Sequence, residues 1–304
     1  MPEGDSVRLA ARRMHAALAG RRIVASQFRV PALATADLAG ATVLEFAPYG
    51  KHMMLRTDTG WTLHTHFRMD GSWTVLGPGR RLPRSLDADV RVLLVTDAGT
   101  TAAGLRLPVV DLLPTAEESR VLGHLGPDVL GDDWADAGAA EAARRLAAVP
   151  ERPVCEALLD QRNLAGIGNL WAVETLFLRG VGPWRPVGEV DLPPLLRLAR
   201  RMMTYALSHP GQVTTGDTRR GRTHWVYGRA GEPCLRCGTP VQVRDATGRA
   251  YERETWWCPV CQPGPAPTLT DRPWRNGMRR GRPTGADRLR AQRAGRGGGP
   301  RARG

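Results

Sequence analysis

The chain of 304 residues has no run of about 18 apolar residues, and charges are spread through its first twenty positions. The first absence argues against a membrane-spanning helix and the second against a secretory signal peptide, so a soluble, cytoplasmic protein is expected. Lysine is nearly missing: Lys51 is the single one among 43 basic residues, and arginine takes the rest. So general a bias reads as a coding preference. Against it, a retained ammonium is either a chance survivor or a compact proton donor that guanidinium, with its much higher pKa, cannot replace. Cysteine is scarce too, and four of the five fall between residues 228 and 263. Internal repeats are absent, which excludes a solenoid or propeller array.

What is present in excess is positive charge. The formal net charge of +13 points to a polyanionic partner. It is unevenly spread: residues 263–304 hold eleven arginines against Asp271 and Asp287, a net +9, and leave only +4 for the body.

Pattern divides the chain. Val7, Ala11, Met14 and Leu18 recur at helical spacing with Arg8, Arg12 and Arg13 off the stripe, which predicts an amphipathic helix over residues 5–19. Short apolar or alternating runs follow at 23–30, 42–46, 52–57, 62–67, 72–76 and 90–96, broken by Gly, Pro and Asp, as in a sandwich or barrel. Residues 115–133 read as a connector and 135–208 as several helices. From residue 264 onward Pro, Gly and Arg dominate, the composition of a disordered tail.

Cys234-x2-Cys237 and Cys258-x2-Cys261, twenty residues apart, have the spacing of a two-knuckle zinc site. Four thiolates fill a tetrahedral zinc shell and leave no place for water, so the expected Zn2+ is structural; the alternatives are two disulfides, disfavoured in a reducing compartment, or unpaired thiols, disfavoured by the paired spacing. Residues 242–244 and 250–257 flank turn residues 245–248 and predict a hairpin between the knuckles. Cys155, in an apolar helical stretch, is expected to be buried and unreactive. His64 and His66 fall on one face of a strand, either half of a metal site or ordinary core and surface histidines, with no carboxylate evidently placed to complete a site. Residues 163–169 join two helical segments, 153–162 and 170–177. Gly166 and Gly168 allow a tight turn, and Asn169 is expected to cap the second helix, whose free amides would suit a phosphate. An ordinary helix connection fits the same spacing. Finally, Met1-Pro2-Glu3 would, once Met1 is removed, leave a secondary amine beside a carboxylate. Such an amine attacks an aldehyde-like carbon and forms a cationic iminium, an electron sink; a frayed terminus would carry the same residues.

Taken together, Pro2-Glu3-Gly4, Tyr49-Gly50-Lys51-His52, His66-Phe67-Arg68-Met69-Asp70-Gly71, Leu125-Gly126-Pro127-Asp128, the turn region from Leu158 to Glu174 and Val226-Tyr227-Gly228-Arg229 resemble the formamidopyrimidine-DNA glycosylase and endonuclease VIII family. The Pro-Glu-Gly start looks like the endonuclease VIII branch. The resemblance implies an α+β multidomain fold: an N-terminal β-sandwich with an N-terminal helix (1–115), a linker (116–133), a helix-two-turn-helix domain (134–225), a four-cysteine zinc-finger hairpin (226–263) and a disordered basic tail (264–304). It implies a bacterial, nucleoid-associated monomer that acts on double-stranded DNA containing damaged bases or abasic sites. Pro2 would be the nucleophile, Glu3 the acid at the sugar ring oxygen, and Lys51 a partner of that pair and of a backbone phosphate. Asn169 and Arg253 would grip phosphates, Met69 would fill the void left by a flipped base, and Arg68 would face the orphaned base.

This chain departs from the pattern at three points. Ser6 stands where many relatives carry Glu, residues 105–115 offer no clear further wedge, which favours pyrimidine lesions, and the basic tail has no place in the family core. Specificity for oxidised purines or mainly for abasic sites, and a non-catalytic zinc-finger DNA-binding protein, are the competing readings.

Overall fold

The computed structural model describes residues 2–209, 211–246, 248 and 251–266. Helix α1 runs from Gly4 to Leu18. Its buried stripe of Val7, Ala11, Met14 and Leu18 is the one the spacing predicts, and Gly20, at φ 72°, turns the chain out of it.

Eight strands follow: β1 (Ile23–Phe28), β2 (Val43–Tyr49), β3 (His52–Thr57), β4 (Trp61–His66), β5 (Ser72–Leu76), β6 (Val90–Thr96), β7 (Thr101–Leu105) and β8 (Val109–Pro114). They form two four-stranded antiparallel sheets, ordered β1-β6-β7-β5 and β2-β3-β4-β8. The last two strands escape the sequence reading because β7 (TAAGL) is poor in bulky β formers and β8 ends on a proline. Both are fixed by partners instead, β7 between β6 and β5 and β8 along β4. One apolar core joins the sheets to α1, with Met14, Leu18, Phe46, Met53, Leu63 and Leu94 inside it.

The connector holds a single-turn helix, α2 (Ser119–Leu122). Beyond it come α3 (Gly138–Ala147), α4 (Val154–Leu159), α5 (Asn169–Arg179) and α6 (Leu192–Ala206), packed round a second core that includes Leu158, Trp171, Leu176 and Leu196. Helix α5 is buried from Asn169 to Phe177 on every side, which explains its mostly apolar sequence; the buried polar exceptions are Asn169, Glu174 and Thr175. A short antiparallel pair, β9 (Gln242–Arg244) and β10 (Thr255–Trp257), carries the cysteine knuckles. The hairpin pairing is three residues long, shorter than the predicted 250–257 arm, and Thr247, Arg249 and Ala250 lie outside the described residues. So do Met1 and all but the first three residues of the expected tail. None of the helices among the described residues is long and apolar enough to cross a membrane.

Candidate active site

Four of the motifs, those at residues 2–4, 49–52, 125–128 and 158–174, meet at one turn. Gly4 donates its amide to the Gly166 carbonyl at 2.9 Å, and a Cβ on Gly4 would lie 2.9 Å from the Gly166 Cα. Gly50, in the β2–β3 turn with φ 55°, packs so closely on Ala165 that a Cβ would sit 2.8 Å from the alanine's own. Gly126 meets Asn163 in the same manner, where a Cβ would lie 2.5 Å from the carbonyl carbon. Tyr49 donates its hydroxyl to the Gly126 carbonyl at 2.9 Å, and Ala165 exchanges backbone hydrogen bonds with the segment 127–129. Gly166 itself needs its positive φ of 101°. Each glycine removes the one carbon that would hold two backbones apart.

Into this junction goes Glu3, only 1% exposed. Its Oε2 accepts the Gly168 amide at 2.8 Å and the Trp171 amide at 3.4 Å, while Oε1 accepts the Leu170 amide at 2.9 Å. The start of α5 is therefore capped by a carboxylate from the far end of the chain. This corrects two expectations. Asn169 is the first residue of the helix, Gly168 occupies the cap position, and the Asn169 side chain makes no cap hydrogen bond. Nor are the Gly168, Leu170 and Trp171 amides free for phosphate, because Glu3 occupies them. Burial raises the Glu3 pKa from 4.5 to about 7, against the opposing pull of Lys51 and of the Leu170 and Trp171 amides. Burial pushes the Lys51 ammonium below its ordinary value, Glu3 partly restores it, and Arg253 lowers it further. A neutralisable acid and a softened base thus sit within electrostatic reach of each other, beside the Pro2 backbone.

Arg253 and Asn169 are brought together by the cysteine-bearing arm. The Asn169 side-chain amide donates to the Glu254 carbonyl at 2.8 Å, and its buried Oδ1 has no hydrogen-bond partner among the described residues. Arg253 is exposed and spends one N–H on the neighbouring Glu252 carbonyl. Arg68 and Met69 project from a tight turn over 67–71, closed by the Gly71 amide on the Phe67 carbonyl at 2.8 Å. Arg68 takes φ 44°, and Met69 is 58% exposed, so Met69 is not a core residue.

Three further features escape the sequence reading. Asp5, 2% exposed, accepts the Trp171 indole N–H at 2.9 Å and the Gln212 amide at 3.1 Å. Glu174, fully buried, accepts the Trp225, Val226 and Tyr227 amides, each at 2.8 Å, together with the Thr214 hydroxyl, and so fastens the entry to the cysteine-bearing arm onto α5. His64 donates to Asp111 at 2.9 Å and accepts from His52 at 2.8 Å, and His52 stands edge-on to His66 at 4.8 Å between ring centroids. The missing carboxylate partner was Asp111, on a strand the sequence reading did not find. Burial lowers His52 to about 3, reinforced by the clustered His66, His64 and His124 and by Lys51, and lowers His66 to about 4, reinforced by Lys51, His64 and Arg68, so both are neutral near pH 7.

The four knuckle cysteines converge: their sulfurs all lie within 4.8 Å of one another, with Cys234–Cys261 at 3.9 Å and Cys237–Cys258 at 3.4 Å. A tetrahedron of thiolates about 2.3 Å from a metal has edges near about 3.8 Å, so this group has the chemistry and the size to hold a metal ion. Cys155 is buried, and burial pushes its thiol up to about 12.

Set beside known proteins, residues 1–107 match the formamidopyrimidine-DNA glycosylase N-terminal domain family. The chain is 53% identical over 270 residues to "Probable endonuclease 8 2" of Streptomyces coelicolor, covering 88% of this chain and 96% of that one. It is 43% identical over 263 residues to "DNA-(apurinic or apyrimidinic site) lyase Nei2" of Mycolicibacterium smegmatis, covering 86% of this chain and 99% of that one. The crystal structure of the MutM (Fpg) protein from Thermus thermophilus superposes with a TM-score of 0.66 at 27% identity, over 87% of this chain and all of that one. A MutM structure in complex with DNA containing carbocyclic 8-oxo-G shares the fold at a TM-score of 0.70 and 21% identity, covering 86% of this chain and 99% of that one. The chain belongs to the formamidopyrimidine-DNA glycosylase and endonuclease VIII family, and the two curated relatives given above carry endonuclease 8 and Nei2 names.

Proposed function

We propose that the protein is a bifunctional DNA glycosylase and abasic-site lyase of base-excision repair that removes oxidised bases, pyrimidines foremost, from double-stranded DNA. The observation that carries this reading is the buried Glu3 carboxyl, held on the amides at the start of α5, next to Pro2 and within reach of the Lys51 charge.

Removal of Met1 frees the Pro2 nitrogen. Its lone pair attacks C1′ of a flipped-out nucleotide as the glycosidic bond breaks, and the base leaves with that electron pair and takes a proton. The new ammonium gives up its proton, Glu3 protonates the ring oxygen, and the C1′–O4′ bond opens to leave a cationic iminium. Because the iminium draws electrons, a C2′ proton is lost and the 3′ phosphate departs; a second elimination expels the 5′ phosphate. A Glu3 pKa of about 7 keeps a useful fraction protonated at neutral pH. The amide N–H groups of Gly168, Leu170 and Trp171 hold the carboxyl in place, and its remaining lone pairs serve the mobile proton.

In this reading Lys51, Asn169 and Arg253 grip phosphates around the lesion, and Asn169 exchanges Glu254 for phosphate as it does so. Met69 enters the stack behind the flipped base, with Arg68 facing the orphaned partner. The four cysteines hold one structural Zn2+, which fixes the arm bearing Arg253 and supplies no catalytic ligand.

The deciding experiment is borohydride trapping on an abasic-site oligonucleotide, with the N-terminus checked by mass spectrometry and Pro2→Gly and Glu3→Gln alongside. A covalent adduct mapped to Pro2 is expected. Absence of any adduct from correctly processed, metal-loaded protein would leave a DNA-binding protein without this chemistry.

A further inference from the structure

A groove of about 1180 Å³ runs between α3 and α6, along most of the length of α6, and is bounded at one end by the end of α5. Its floor is Trp134 and Leu196, both buried, and its walls are small: Ala139, Ala143, Pro193 and Pro194. Arg179, Arg197 and Arg201 stand exposed along it, and none has a hydrogen bond or ion pair among the described residues. Arg200 is different, since it spends its guanidinium on the Val129 and Gly131 carbonyls. No Asp or Glu is among the described residues that line the groove. The groove is also apart from the chemistry, because α5 begins at the Glu3 junction and reaches Arg179 ten residues later, about 15 Å along the axis at about 1.5 Å per residue.

Three unpaired guanidinium groups beside apolar walls select a particular occupant. A DNA backbone would satisfy the arginines but leave the partly exposed Ala139, Ala143, Pro193 and Pro194 walls facing a polar ligand. A two-fold pairing of this face with itself would set the same arginines against one another. The chain's own residues beyond 266 carry net positive charge and would be repelled. We infer that this groove docks an acidic segment of another protein, with aspartates or glutamates on Arg179, Arg197 and Arg201 and one or two bulky apolar side chains seated between the Ala139 and Ala143 wall and the Pro193 and Pro194 wall. Such docking would bring the enzyme to a partner while leaving the Pro2 and Glu3 end free.

The test uses the full chain, metal-loaded, and three fluorescent peptides of about 12 residues: one of alternating Asp/Glu and Leu/Phe, one with Lys for every acid, and one with Ser for every apolar residue. Only the first is expected to bind saturably. Its affinity should fall at least tenfold in Arg197→Glu/Arg201→Glu, and independently in Ala143→Trp, which fills the groove without altering charge. Both variants should trap abasic DNA as the parent does, which separates failure here from failure of the proposed chemistry. No saturable binding of the acidic apolar peptide, or binding indifferent to both variants, would overturn the inference. So would displacement of the peptide by short undamaged duplex together with an equal loss of duplex affinity in the arginine variant, which would assign the face to nucleic acid.

Discussion

Gly168 and Glu3 lie so close that a Cβ on the glycine would stand 2.6 Å from the glutamate's Oε1. The third residue of the chain and the residue before α5 are thus fitted to each other, 165 positions apart. The contact makes the backbone of a helix start the seat of the acid, and it sets a steric requirement that the Gly166-x-Gly168 spacing alone does not reveal.

Gly168→Ala is therefore expected to expel the Glu3 carboxyl from its cap. The overpacking should cost about 1–3 kcal/mol of stability, readable as a fall in Tm, and excision of a damaged base from duplex DNA should drop at least tenfold. Excision unchanged from wild type would mean that the Glu3 placement is immaterial to the chemistry.

The pH dependence follows from the sign of the Glu3 shift. Its folded-state pKa of about 7 lies above the ordinary 4.5, so between those values the folded state holds more protons than the unfolded one. Stability from this group is complete below pH 4.5 and is lost as pH rises through 7, by at most on the order of 3 kcal/mol. Denaturant unfolding at about pH 5 and about pH 8 should show a smaller pH difference in Glu3→Gln than in wild type. Base excision should decline above pH 7 as the acid form is depleted. Glu3→Gln should lose excision more severely than strand cleavage at a preformed abasic site, where the ring-opened aldehyde is already accessible.

Met69 is exposed at the tip of its turn, so Met69→Ala should leave stability within about 0.5 kcal/mol of wild type. If Met69 is the wedge, excision from paired duplex should slow several-fold while single-stranded substrate, which leaves no hole to fill, is processed as before. Equal slowing on both substrates would remove that role.

Cys237→Ser opens one corner of the sulfur tetrahedron. Bound zinc should fall below one per chain by atomic absorption. Because Arg253 and the Glu254 carbonyl that meets Asn169 both hang from this arm, affinity for abasic duplex should weaken at least tenfold. The sandwich core contains no cysteine, and the helical core contains only Cys155. Both should persist as a folded signal in circular dichroism.

Features whose chemistry is carried by residue type and local spacing were legible before folding. The α1 stripe, the two cysteine knuckles and the amine-and-carboxylate start all announce themselves, because side-chain periodicity and ligand spacing are local quantities. Strands β7 and β8 did not, since a small-residue strand and one ending in proline are held by neighbours distant in sequence. Which groups meet was settled by long-range packing. It handed the cap of α5 to Glu3 rather than Asn169, found Asp111 for His64, tied Asp5 to Trp171 and Gln212, and brought Arg253 within electrostatic reach of Lys51. Each of these is a contact between segments tens to hundreds of residues apart, and its effect on burial and pKa exists only once the chain has closed around it.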